Sequence, residues 1–508
     1  MSPYPTATLH KLYRKSEATV FRPQYCDFNI AGHPKLQQSF RPVDDEEREI
    51  TRMTDKSMAK VFCATVIQTP APNEVEVIKD ALINVGADGM IISVTEPAAA
   101  PYRERMQAAR EAGQLSVLAA GKYLLPGLID LHIHAPQWPQ LGKALHLPLY
   151  EWLEQETFPL EARYADTAFA RTVYESLVSN LISNGTTTAV YFGSIHSEAN
   201  KVLAETCLRH GQRALVGKVA MDHPEQCPDY YCDPSAEAAI EQTAELITHV
   251  RALPGNDRQL VRPIITPRFI PSCSDALLEG LGELAASSDC HIQTHCSESD
   301  WEHNHVLARL GKTDTTALND FGLLTRHTVL AHSNFITRDD LNIIAETRTG
   351  IAHCPLSNFH FANSIFPLRA ALDKGLRVGL GTDISGGPSA SMFDSCRYAI
   401  TASRALEDGV NPSLAPEIRG LRGSRIDFRH AFWLATAGGG EVLDMPIGKI
   451  APGFQFDAIS VDAGADGSNI MVWDGIDNDI DILQKIVFGA TRTNISDVWI
   501  AGIKVSIH

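Results

Sequence analysis

Short apolar runs recur through the middle of the chain, and each is long enough for a strand buried on both faces but too short for a helix. They are GLIDLHIH (127–134), TTTAVYFG (186–193), ALVGKVAM (214–221), PIITPRF (263–269), CHIQTHC (290–296), TVLAHS (328–333), GIAHCP (350–355) and RVGLGTD (377–383). Between most of them lie stretches of helical spacing such as DTAFARTVYESLVSNLISNG and SDALLEGLGELAASS. Alternation of this kind predicts a parallel sheet. Eight repeats in one region predict a (β/α)8 TIM-type barrel rather than an open doubly wound sheet, and no glycine-rich dinucleotide fingerprint follows the first run.

A different texture flanks the barrel. KVFCATVIQT and DALINVGADGMIISVTE precede it, and FDAISVDA and DVWIAGIKVSI end the chain. These short β-rich pieces with Gly and Asp turns predict a small β-sandwich domain built from both chain ends. The expected division is an extension over 1–57, the first part of the β domain over 58–125, the catalytic barrel over 126–445 and the second part of the β domain over 446–508. The extension has no regular periodicity and carries an acidic run, Asp44-Asp45-Glu46-Glu47.

Charge narrows the possible partners. A formal net charge of −17 over 508 residues argues against binding to nucleic acid or an anionic membrane, which needs a basic face. A small neutral substrate stays open. Ten cysteines occur without a CxxC pair, which fits free thiols in a reducing compartment. No apolar run is long enough to span a bilayer and no signal-peptide core is visible. The expected location is cytoplasmic.

Four of the runs end in metal-ligand residue types. The first ends in His132-Ile133-His134, the fifth carries His295, the sixth His332, and the eighth ends in Asp383. Residues i and i+2 of a strand share a face, so His132 and His134 can aim at one centre. Barrel enzymes place their sites at the C-terminal mouth, where all five residues would converge. Imidazoles with one carboxylate suit zinc, and iron also fits. Taken singly, each has an ordinary alternative: the chain holds 19 histidines, and an aspartate ahead of a Ser-Gly-Gly stretch can cap a helix. Their joint placement at strand ends favours the metal reading.

Glu298 stands three residues beyond His295, where a carboxylate can carry protons between an activated water, the substrate and its leaving group. A bound divalent ion lowers the pKa of water towards about 7. The ordinary alternative is a solvated glutamate in a helix's first turn. Gln137, just past the histidine pair, can donate and accept at once. Trp152 and Phe158 can stack on a planar heterocycle, although from the residues alone core packing is the better explanation of both. Arg268 and Phe269 end the fourth run, and an arginine facing a barrel mouth needs a partner. Lys218, which could be a carbamylated bridge between two metals, lies mid-run rather than at an end. His196 and His353 lie near run ends without an assigned role.

The motifs PGLIDLHIHAPQ, LPLYEWLEQETFP, NGTTTAVYFGSIH, GKVAMD, ITPRF, THCSE, LAHSN, IAHCPLSN and GLGTDISGG follow one another over residues 126–387, within a likeness that runs from about residue 60 to about residue 505. In that order they closely resemble the guanine deaminases of the amidohydrolase superfamily. PGLIDLHIH alone marks only the superfamily, whereas HAPQ, the EWL…TFP segment and TPRF are more specific. The resemblance implies a homodimer with one zinc per subunit that converts guanine to xanthine and ammonia by attack of zinc-activated water at C2. It implies His132, His134, His295, His332 and Asp383 as zinc ligands, with Asp383 helping to deprotonate the water and Glu298 as proton shuttle. Gln137, Arg268 and Phe269 would read the purine edges, and Trp152 would line the pocket. Tyr150 and Leu356 depart from the family pattern and bear on pocket shape. Rival readings are a deaminase of another aminated heterocycle (a pterin, 8-oxoguanine, a triazine) and a non-catalytic scaffold, which would have lost its ligands.

Overall fold

Every residue of the strand Leu128–His134 is buried, as expected of a run that is apolar on both faces. The computed structural model describes residues 60–362 and 364–507. The extension expected over 1–57, with its acidic run, lies outside the described residues. Five strands precede Leu128: β1 (Lys60–Gln68), β2 (Glu76–Val85), β3 (Ile91–Thr95), β4 (Leu115–Val117) and β5 (Lys122–Pro126). Leu128–His134 is β6, and the central strands continue as β7 (Thr186–Phe192), β8 (Arg213–Gly217), β9 (Val219–Ala220), β10 (Val261–Pro267), β11 (His291–Cys296), β12 (Thr328–His332), β13 (Gly350–His353) and β14 (Arg377–Leu380). Three strands end the chain: β15 (Ala458–Asp462), β16 (Ile495–Ile500) and β17 (Ile503–Val505).

The central strands pair in parallel in the order β6-β7-β8-β10-β11-β12-β13-β14, with β9 beside β10. The ends of this sheet meet just past the strand termini. Asp383 N donates to His132 O at 2.9 Å and His134 N donates to Ile384 O at 2.8 Å. The buried Asp130 carboxylate reinforces this closure by accepting from Thr382 N (2.9 Å) and Thr382 Oγ1 (2.6 Å). The expected barrel is therefore present, and its closure is built beside the residues that carry its chemistry.

Ile129, Leu131, Val190, Leu215, Ile264, Val329 and Ala352 fill the barrel with Val442, Leu443 and Ile447, leaving polar side chains to the mouth. Helices cover the outside, and several begin on the caps their sequences offer. Ser235 accepts from Ala238 N and Ser274 from Leu277 N, while Thr337 and Asp340 form a capping box, satisfying amides that have no partner within the helix.

The run expected as one strand over 214–221 breaks at Lys218. Its buried ammonium donates to Asp233 at 2.7 and 2.9 Å and to Val219 O at 3.0 Å, so the side chain leaves the strand pattern to reach its counter-ion.

The remaining strands form one sheet, β17-β16-β15-β5-β1-β2-β3, with β4 beside β1. Strands from both ends of the chain thus hydrogen-bond together. Ile91 N donates to Phe454 O and Phe456 N to Gly89 O, both at 2.8 Å, which brings the β3 edge back to the start of β15. The sheet therefore folds over itself, around Phe62, Phe456 and Trp499, with the Phe62 ring 4.4 and 5.6 Å from the other two. Gly127 links β5 to β6, where any Cβ would come within 2.2 Å of the Thr187 hydroxyl. The buried pair Arg213–Asp457 at 2.7 Å ties this sheet to β8. No helix among the described residues is long and apolar enough to cross a membrane.

Candidate metal and substrate site

His132 and His134 leave β6 on one face, His295 comes from β11, His332 ends β12 and Asp383 follows β14. All five are buried and their donor atoms converge. His134 Nε2 and His295 Nε2 lie 3.0 Å apart. Asp383 Oδ1 is 3.2 Å from His132 Nε2 and 3.5 Å from His134 Nε2, and Asp383 Oδ2 is 3.8 Å from His332 Nε2. His332 and Asp383 hold φ of 70° and 50°, left-handed values that cost residues with a Cβ and persist where the surroundings impose them. Here the Asp383 N to His132 O bond is one such constraint.

The outer nitrogens define which atoms face the centre. His295 Nδ1 lies 2.6 Å from Arg268 O and His332 Nδ1 lies 2.9 Å from Asn358 Oδ1. Those acceptors place the imidazole protons on Nδ1 and leave the Nε2 lone pairs pointing inward. His132 Nε2 and His332 Nε2 are buried without a hydrogen-bond partner. Burial lowers the pKa of His132 and drives those of His134 and His295 well below the ordinary range, favouring neutral, ligating rings. Burial opposes ionisation of Asp383, but the surrounding imidazoles outweigh it and hold its carboxyl well below the usual range. The inward lone pairs of His295 and His332, with the Asp383 carboxylate and the His132 and His134 rings beside them, fit a divalent cation, and the groups His132–His295–His332, His132–His134–Asp383 and Glu298–His332–Asp383 each bring their ligand atoms within 4.8 Å.

Glu298 is not in a helix's first turn. It precedes Ser299, the N-cap of the helix Asp300–Leu310, and its Oε1 approaches His332 Nε2 at 3.7 Å. Burial raises its pKa to about 7, poised to take and give a proton near neutrality. Its backbone is clamped: the amide donates to Glu302 Oε2 at 2.6 Å and the carbonyl accepts from Asn334 Nδ2 at 2.9 Å. Asn334 Oδ1 in turn accepts from Asn358 Nδ2 at 2.7 Å. A line of amides thus runs from the Glu298 backbone to the His332 ring.

A narrow cleft, open to solvent, lies above these groups. Gln137, Trp152, Arg268 and Phe269 line it together with His134, His295, Glu298 and Asp383. Trp152 forms an apolar wall with Leu149, Leu153 and Phe361, its Nε1 donating to Lys143 O at 3.1 Å. Arg268 donates from Nη1 and Nη2 to Glu161 at 2.7 and 3.4 Å. Gln137 Nε2 donates to the same carboxylate at 2.9 Å, and its Oε1 accepts from Ser385 N at 3.1 Å. Phe158 lies under the Arg268 guanidinium, 5.1 Å from its ring centre. Lys218 belongs to the pair with Asp233, and His353 is packed against Phe366 5.3 Å away.

Sequence reasoning passed over Glu161, Asp130, Asn334 and Asn358. Glu161 was foreshadowed only by the need of Arg268 for a partner, and it stands three residues past the aromatic Phe158. Asn334 and Asn358 sit within LAHSN and CPLSN, but nothing in those strings says which histidine they face.

A family model described as the amidohydrolase family matches residues 123–505. The chain is 37% identical over 458 residues to a probable guanine deaminase of Schizosaccharomyces pombe, covering 89% of this chain and 84% of that protein. It is 34% identical over 459 residues to the guanine deaminase of Homo sapiens, covering 88% and 97%. Among solved structures, guanine deaminase from C. acetobutylicum with guanine bound in its active site superposes with a TM-score of 0.78 at 30% identity, covering 88% of this chain and all of that one (100%).

Proposed function

The chain belongs to the amidohydrolase family, and from that premise we propose that it hydrolyses guanine to xanthine and ammonia. The observation that carries this reading is one cleft lined by Arg268, Gln137, Glu298 and the metal donors His134, His295 and Asp383, with His132 and His332 completing the donor groups beneath it. The guanine bound in the C. acetobutylicum relative supports a planar purine as the occupant. The histidine-rich donor set suits zinc. We further read the protein, by resemblance, as a cytoplasmic homodimer.

His132, His134, His295, His332 and Asp383 would hold the ion. When bound, it acts as a Lewis acid and makes water nucleophilic near neutral pH. As the oxygen bonds to C2 of guanine, Glu298 would take one of the water's two protons, and Asp383 would accept the second as the tetrahedral carbon collapses. Glu298 would pass the first proton to the ring nitrogen beside C2, and the second would reach the amine nitrogen through Glu298 as the C2–N bond breaks and C2–O becomes a carbonyl, so that ammonia leaves. Atoms balance: guanine and one water give xanthine and one ammonia. Arg268 and Gln137 orient the purine, while Trp152, Leu149, Leu153 and Phe361 exclude bulk water from its faces. A pocket whose buried polar groups pair with guanine rejects adenine, which would leave them unpaired.

The deciding assay measures ammonia release from guanine, adenine, cytosine, 8-oxoguanine and a triazine, with the metal content of the same sample. Release from guanine with zinc at one ion per chain is expected. Turnover of another heterocycle in preference to guanine would overturn the substrate assignment.

A further inference from the structure

We infer that Glu161 sets which purine edge the cleft accepts, by locking the amide of Gln137 and the guanidinium of Arg268 in one orientation. The inference rests on the guanine reading above and deepens it.

Glu161 belongs to the helical turn Phe158–Ala162 and is completely buried. A carboxylate can only accept hydrogen bonds. Its contact with the Gln137 amide at 2.9 Å must therefore be made by Nε2, which leaves Oε1 to accept from Ser385 N at 3.1 Å. Ser385 N can only donate, so both neighbours enforce the same amide orientation. One N–H and one lone pair of Gln137 stay unspent by the protein. Arg268 spends two of its N–H groups on Glu161 out of the five a guanidinium carries, and it lines the cleft. The phenol of Tyr231, whose pKa burial and Glu161 push far above its ordinary range, stands beside the carboxylate, so this anion is enclosed on every side by protein.

The pattern left for a ligand is a cationic donor beside an amide with one donor and one acceptor. It complements a lactam edge, where a carbonyl oxygen adjoins a ring N–H. An amidine edge, where a ring nitrogen accepts and an amine donates, can also pair with such an amide, but its amine would meet the Arg268 N–H groups donor to donor. Guanine carries the first edge and 2,6-diaminopurine the second, and both carry an amine at C2. Glu161 is thus a positioning residue: it touches no substrate, yet the selectivity of Gln137 and Arg268 depends on it.

The test uses Glu161→Gln, nearly isosteric but able to donate as well as accept, so that the Gln137 amide is no longer held from the Glu161 side. Guanine and 2,6-diaminopurine are compared by kcat/KM, with products identified chromatographically and zinc content measured. The expected result is a fall of about tenfold or more in the guanine preference, carried mainly by a raised KM for guanine, with zinc retained. Glu161→Asp, which stays acceptor-only, should keep the preference. Should the unpaired Arg268 charge prevent E161Q from folding, the charge-neutral double variant E161Q/R268Q is compared with R268Q alone, and a further fall in preference is expected. Parallel loss on both purines, or an unchanged preference, would overturn the inference while wild-type guanine turnover leaves the function standing. A wild type that releases no ammonia from guanine would overturn both.

Discussion

The Nε2 atoms of His134 and His295 face one another at 3.0 Å, inside a barrel mouth where burial disfavours a charge on either ring. Two neutral imidazoles can share that distance only if a proton on one ring meets the other's lone pair or a cation lies between them. The outer nitrogen of His295 is bound to Arg268 O, so its Nε2 offers a lone pair, and a cation held by both rings would stand where His134 Nε2 otherwise donates a proton. Removing the metal should therefore cost stability as well as activity. Dialysis against a chelator is expected to abolish turnover and lower the unfolding midpoint, and added zinc should restore both. At an ion concentration about a thousand times its dissociation constant, the stabilisation is about 4 kcal/mol. Identical unfolding curves with and without metal would show that these residues hold none.

Glu298 separates proton transfer from metal binding. Its carboxylate lies 3.7 Å from His332 Nε2, while its backbone is held independently by Glu302 and Asn334. Glu298→Gln should preserve the fold and the zinc content and reduce kcat by about 100- to 10,000-fold, the range typical of a positioned acid–base group. Steady-state kinetics with metal analysis of the same preparation check this, and a kcat within a few-fold of wild type would remove Glu298 from the reaction.

Asn358 acts on the metal through a ring. Its Oδ1 accepts from His332 Nδ1 at 2.9 Å and thereby aims Nε2 at the centre. Asn358→Ala should weaken zinc affinity by about 10- to 100-fold, as lost outer-sphere partners of ligating histidines do. Competition with a fluorescent zinc chelator measures it. An unchanged affinity would mean that the strand end alone orients His332.

These residues show how far the sequence could be read. His132 and His134 were legible because strand periodicity puts i and i+2 on one face, and the eight apolar runs located the barrel. The residues behind the ligands were not legible. Asn358 reaches His332 across 26 positions of chain, and Glu161 meets Arg268 across 107. Such contacts arise from how the loops fold over the mouth, which periodicity does not encode. Lys218 is the converse case: the sequence offered it only as a carbamylated bridge placed mid-run, and its partner is Asp233, which a loop supplies.

At the opposite end of the barrel, His291 begins β11 with its Nε2 2.8 Å from Leu443 O and its ring stacked 4.9 Å from that of His327. Burial lowers its pKa to about 4, against about 6.5 in an unfolded chain. The folded state therefore favours the neutral ring, so its contribution is fully present above about pH 6.5 and is lost as pH falls towards 4. At pH 5 the loss is about 2 kcal/mol from these two values. Other buried groups titrate in the same window, Asp130 with a pKa raised to about 7 among them, and its contribution runs the other way. The comparison that isolates His291 is therefore between wild type and His291→Gln, by urea unfolding at pH 7.5 and pH 5. The wild type should lose more stability on acidification than the variant, by about 2 kcal/mol. Equal losses would show that His291 is protonated as easily in the folded barrel as in the unfolded chain.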